Sequence, residues 1–114
     1  MKNKKWIVTA LLFSGRQNPE WGLTDAQQKS WEESWEKAIS LNTEVELPSR
    51  LGYAGCILYY DEQSYWQLYN GYALFSEKGK RIFKEDDRRK MEFFLLHTAP
   101  AEVKKILTDQ GIVF

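Results

Sequence analysis

The dipeptide Asn70-Gly71 lies between two aromatic-rich runs, Tyr65 to Tyr69 and Tyr72 to Ser76. A two-residue type I′ turn needs positive φ at both central residues, which asparagine and glycine tolerate, so this stretch reads as an antiparallel hairpin. Counting outwards pairs Tyr69 with Tyr72, Leu68 with Ala73, Gln67 with Leu74, Trp66 with Phe75 and Tyr65 with Ser76. A third run, Tyr53 to Tyr60, precedes the hairpin. A tight turn at Glu62-Gln63 would pair Asp61 with Ser64, Tyr60 with Tyr65 and Leu58 with Gln67.

Cross-strand partners share a face and neighbours along a strand do not. This register therefore sorts Gly55, Ile57, Tyr59, Trp66, Leu68, Ala73 and Phe75 onto an ordinary core face. The opposite face collects Cys56, Leu58, Tyr60, Tyr65, Gln67, Tyr69, Tyr72 and Leu74. Its four tyrosines each carry an apolar ring and a polar tip, a composition that suits either a half-buried layer or a binding surface.

The flanking segments supply helices and one more strand. Trp6 to Phe13 is β-branched and aromatic, stops at Ser14-Gly15 and reads as a buried strand. With Met1 to Lys5 before it, the segment also imitates a signal peptide. The apolar run is short and no convincing cleavage site follows, so a strand and cytoplasmic residence are expected over export. Ser14 to Leu23 reads as an ordered loop. Thr24 with Gln27 three residues on forms a capping box, opening a first helix expected to reach about Leu41, with Trp31, Trp35, Ala38 and Asn42 on its inner stripe. Asn42 to Gly52 reads as a loop and Glu77 to Lys80 as a turn. Asp86 and Asp87 are N-cap candidates for a second helix through about His97, deeply packed through Met91, Phe93, Phe94, Leu95 and Leu96. Thr98-Ala99-Pro100 separates it from a third helix that uses Val103, Ile106 and Leu107 on one face and stops at Gly111. The expected fold class is α+β, one domain over residues 1–114, in order β-α-β-β-β-α-α, a mostly antiparallel sheet packed against helices on one face.

At 114 residues the chain can bury a core of its own. Sixteen basic and sixteen acidic side chains balance, which removes the basic excess expected of a general nucleic-acid or anionic-membrane binder. The local basic excess from Lys78 to Lys90 reads as a solvated loop and helix start. One cysteine and one histidine permit neither an intrachain disulfide nor a Cys/His zinc cage. Neither a metal nor a cofactor is implied.

The search for catalytic patterns is negative: no dinucleotide fingerprint, P-loop, zinc-protease helix, C-x-x-C or nucleophile elbow occurs. Cys56 and His97 are the one conceivable nucleophile and base, but each has a simpler structural reading, as a small buried hydrophobe and a helix-end residue. Asp61 and Glu62 read as turn residues, and Asp86, Arg89 and Glu92, spaced by three, as an ion-pair network supporting the second helix. The loop from Ser14 to Trp21 is more suggestive. Arg16 could hold a carboxylate or phosphate through two parallel hydrogen bonds, with Asn18 beside it and Trp21 as a wall.

The phrase Ser14-Gly15-Arg16-Gln17-Asn18-Pro19-Glu20-Trp21, followed by Leu51-Gly52-Tyr53 with Gly55, Asn70-Gly71 and Asp86, Arg89 and Glu92, resembles a set of small uncharacterised bacterial proteins with an SGRxNPxW-type phrase and a later LGYxG phrase. The resemblance implies no activity. Some of that group are exported, whereas this chain starts almost directly with its strand.

The expected function is a non-enzymatic interaction module that binds a protein or peptide through the aromatic sheet face, in an immunity or regulatory adaptor role or through self-association as a homodimer. The alternative is a small-ligand binder that combines aromatic stacking with Arg16. An enzyme ranks behind both, and nucleic acid and membrane are not expected partners. The expected binding residues are Arg16, Asn18, Trp21, Tyr60, Tyr65, Gln67, Tyr69 and Tyr72.

Overall fold

A computed structural model describes residues 5–12, 17–45 and 53–114. Its elements are β1 (Ile7–Ala10), β2 (Glu20–Gly22), α1 (Asp25–Lys37), β3 (Cys56–Tyr59), β4 (Ser64–Tyr69), β5 (Tyr72–Glu77), β6 (Lys80–Glu85), α2 (Lys90–His97) and α3 (Ala101–Asp109), with a 3-10 turn at Asp87–Arg89 before α2. The six strands form one sheet in the order β2-β1-β3-β4-β5-β6, antiparallel throughout. The α+β class is as expected, with two strands more than the sequence reading allowed.

The added strands have different origins. β2 falls inside the stretch read as an ordered loop, and Trp21 pairs with Val8 of β1. β6 falls inside the charged stretch read as a solvated loop. Its turn, Lys78-Gly79, has φ of 47° and 85°, a positive pair like that of Asn70-Gly71 at 49° and 93°. α1 also ends earlier than expected. Ala38 turns extended, and the chain beyond it runs along β6, where Glu85 N–H donates to Ile39 and Leu41 N–H to Phe83.

The β4–β5 register is the expected one, from Tyr69 with Tyr72 out to Tyr65 with Ser76. The β3–β4 register is displaced by one residue: Tyr59 pairs with Tyr65 and Leu58 with Trp66. The cause is the connection, which spans Tyr60 to Gln63. Asp61 accepts from the Gln63 N–H in an Asx turn, and Tyr60 N–H still donates to Ser64. A slip of one residue exchanges the faces of a whole strand. Cys56 and Leu58 therefore join the core, and Ile57 and Tyr59 turn outward.

The three helices pack on the inner face. α1 brings Trp31 and Trp35 onto Trp66, at ring-centroid separations of 5.6 and 6.2 Å. Leu95 and Leu96 of α2 and Val103 and Leu107 of α3 complete one buried cluster with Val8, Cys56, Leu58 and Leu68. Trp66 also meets Trp6, Tyr60 and Phe75. Edge-to-face pairs of this kind add about 0.5–1.5 kcal/mol beyond burial. They offset the cost of the Trp31 and Trp66 indole N–H groups, which lie buried with no acceptor among the described residues.

The start of α1 and the end of α3 follow the sequence signals. Thr24 and Gln27 exchange both bonds of the capping box. Gly111, at φ +80°, closes α3 as Ile112 N–H bonds to the Leu107 carbonyl.

Candidate functional site

The densest polar cluster is built around Glu92, the fourth residue after the αL residue Arg88 in the turn that leads into α2. Asp86 sets the geometry. Its two carboxylate oxygens accept from the backbone N–H groups of Met91 and Glu92 at 2.7 and 3.0 Å, neutralising the positive end of α2. To fit this cap, Arg88 and Arg89 both take left-handed conformations, with φ of 54° and 59°. Such values are costly for residues with a Cβ.

That bend places the Arg89 guanidinium against the Glu92 carboxylate, with Nε at 3.2 Å and Nη2 at 2.7 Å. Asn70 N–H, at the tip of the β4–β5 hairpin, donates to the same carboxylate at 3.2 Å, and the Tyr53 hydroxyl donates to it as well. Glu92 is fully buried, with four donors for its lone pairs. Of the expected ion-pair network the Arg89–Glu92 pair forms, while Asp86 holds backbone N–H groups instead. The Glu92 cluster does more than support a helix, because it ties α2 to the hairpin tip and to the segment entering β3. Asp86 N–H adds a bond to the Gly71 carbonyl.

The cluster also governs nearby protons. Burial, together with the carboxylates of Glu92 and Asp86, pushes the Cys56 thiol up, and burial pushes the Tyr53 phenol up. The carboxyl of Asp86 is raised by burial, against the two backbone N–H groups that favour its charged form. The bond to Glu92 holds the Arg89 guanidinium above its usual range. Cys56 is thus a buried neutral thiol, whereas His97 is exposed at the end of α2 with its ring on Phe114 at 5.0 Å.

The sequence-predicted residues separate. Tyr65, Gln67, Tyr69 and Tyr72 share the outer face of the sheet, opposite the helices; the first three are half-buried and Tyr72 is 38% exposed. Tyr60 does not belong with them. It sits on the inner side against Trp66 and Trp6, because of the four-residue connection described above. Tyr59 takes its place, 6.3 Å from Tyr65 between ring centroids.

Trp21 is likewise corrected. It is a core residue of β2, 7% exposed, and its indole N–H donates to the Thr98 hydroxyl at 2.8 Å. Asn18 borders a shallow groove with Pro19 and Ile106, and its Oδ1 accepts from Leu12 N–H at 2.9 Å. Arg16 lies outside the described residues.

A cleft of about 600 Å³ opens beside the Glu92 cluster, lined by Tyr53, Tyr69, Asn70, Arg89 and residues 110–113. Sequence reading found Arg89 as an ion-pair partner and Tyr69 as a face residue, but nothing in their spacing joins them to Tyr53 and to the chain after α3. Among the described residues no group of three or more His, Cys, Asp or Glu could hold a metal ion, and no helix is long and apolar enough to cross a membrane. Comparison with protein-family models, with curated proteins and with solved structures yields no match.

Proposed function

We propose that this chain is a non-enzymatic binding module that grips a protein or peptide partner on the outer face of its sheet, through Ile57, Tyr59, Tyr65, Gln67, Tyr69 and Tyr72. The observation that carries the reading is the asymmetry of the sheet: the packed helices take one face and the tyrosines lie on the other. Tyrosine offers a large rigid contact at low entropic cost and a hydroxyl that tolerates water when no partner is bound.

The electrostatics favour a partner held by shape and apolar contact. Of the bases between Lys78 and Lys90, Lys84 reaches the Trp35 carbonyl, Arg89 grips Glu92, Lys90 lies near Asp87 and Arg81 meets Glu44. A single-stranded nucleic acid stacked on the tyrosines would need such cations along its phosphates. Here four of the seven basic residues of that stretch have partners within the fold.

Site-directed photocrosslinking tests the reading. A benzophenone side chain is placed at Tyr59 or Tyr65 and, as a control, at the exposed Lys105 of α3. The expected result is one polypeptide joined from positions 59 and 65 and not from 105, whose purified form binds a Tyr59→Ser/Tyr65→Ser variant at least tenfold more weakly than the parent. Equal adducts from all three positions, no adduct, or a link only between two copies of this chain would overturn it.

A further inference from the structure

We infer that the cleft beside α2 is a second binding site, which shares Tyr69 with the sheet face but is otherwise built from other residues, and that it takes a small organic carboxylate carried on an apolar or aromatic body. Among the described residues that line the cleft, Arg89 is the one that is charged. Its Nε and Nη2 are the groups that hold Glu92. Nη1 takes no part in that grip, and 35% of the side chain is exposed. The guanidinium is fixed on its other side by the Phe93 ring, 4.6 Å from the guanidinium carbon. It is therefore held rigid before any ligand arrives, which removes much of the entropic cost that a mobile surface arginine pays on binding.

The rest of the lining sets the ligand class. Tyr53, Tyr69, Ile112 and Val113 give apolar surface, while Asn70 and Gln110 give amide groups. The volume of about 600 Å³ suits a compact organic molecule. Charge decides between anions. Glu92 already balances most of the Arg89 charge, and among the described residues no second cation lines the cleft, so a monoanionic carboxylate is accommodated where a phosphate dianion would lack a counter-charge. The two left-handed residues, Arg88 and Arg89, place the guanidinium at this wall. Strain of this kind is tolerated where the surroundings hold a side chain in one position.

The test compares N-acetylphenylalanine with its carboxamide, read on the parent protein by two-dimensional amide NMR. The acid is expected to move the resonances of Asn70, Gly71, Arg89, Gly111 and Ile112 saturably, with an affinity at least tenfold above that of the amide, and to leave Ile57 and Gln67 of the sheet face unmoved. Inorganic phosphate is expected to produce no saturable shift at these positions. An Arg89→Lys variant, which keeps the charge and loses the planar fork, should weaken the acid at least tenfold. If that variant is unfolded, an exposed-site change, Gln110→Ala/Val113→Ser, takes its place with a smaller loss expected. Equal shifts with acid and amide, shifts confined to the sheet face, or none at all would overturn the assignment. Because the two sites report through different resonances, failure here leaves the sheet-face reading standing.

Discussion

The Tyr53 hydroxyl, just ahead of β3, donates to the carboxylate of Glu92 in the first turn of α2, thirty-nine residues further along the chain. The bond closes the ring of donors around a buried charge. Removing it in Tyr53→Phe leaves Glu92 one donor short at nearly constant volume. The expected loss is about 1–3 kcal/mol, read as a lower urea midpoint with an unchanged slope.

Gly55 makes a sharper demand. Its φ is +87°, and a Cβ added there would lie 1.9 Å from the Leu68 carbonyl oxygen, a backbone atom of the neighbouring strand. Gly55→Ala must therefore push β3 away from β4. It is expected to cost more than about 4 kcal/mol, the range of severe core disruption, and to yield aggregated protein or no cooperative urea transition.

Alkaline pH should destabilise the fold in a defined way. The Cys56 thiol and Tyr53 phenol are both raised by burial above usual values of 9.0 and 10.0. Between the unfolded and folded values the native state retains protons that the unfolded chain has lost, so stability falls as pH rises. Each group contributes up to about 1.4 kcal/mol per pH unit. Urea midpoints measured from pH 8 to 11 should decline, and the decline should be shallower in Cys56→Ala, where the thiol contribution is gone.

Lys84 closes the end of α1 from another element. Its ammonium donates to the Trp35 carbonyl at 2.7 Å and lies 4.4 Å from the centre of the Trp35 ring. Lys84→Met keeps most of the stem and removes the donor and the cation. The expected cost is about 1–2 kcal/mol. Thermal unfolding should show it at low and high salt alike, since the contact is partly shielded from solvent.

Where the sequence carried a local geometric rule, it was legible. Asn70-Gly71 fixed the β4–β5 register residue by residue, and Thr24 with Gln27 fixed the start of α1. Reading failed where tertiary pairing overrode local chemistry. Lys80, Arg81, Lys84 and Glu85 looked like solvent-facing charge, but β6 is held by β5 on one side and by the chain after α1 on the other. β2 is three residues long and takes its strand character from β1. At the outer face, Tyr65, Gln67, Tyr69 and Tyr72 were legible because they hang on the Asn70-Gly71 turn. Tyr59 was not, because its orientation depends on the Asx turn of Asp61. The cleft was beyond reach of spacing, since its walls come from four separate parts of the chain.

The ring cluster around Trp66 makes the protein its own optical reporter. Trp6, Trp31, Trp35 and Trp66 lie in mutual contact through Trp66, at centroid separations between 5.6 and 6.2 Å. Indoles this close share excitation, so their near-ultraviolet dichroism and emission register the meeting of three distant stretches of chain as a single signal. Trp21 stands apart at the β2 edge, bonded to Thr98. A Trp21→Phe background would leave a spectrum that reads only whether α1, β4 and the residue before β1 have come together.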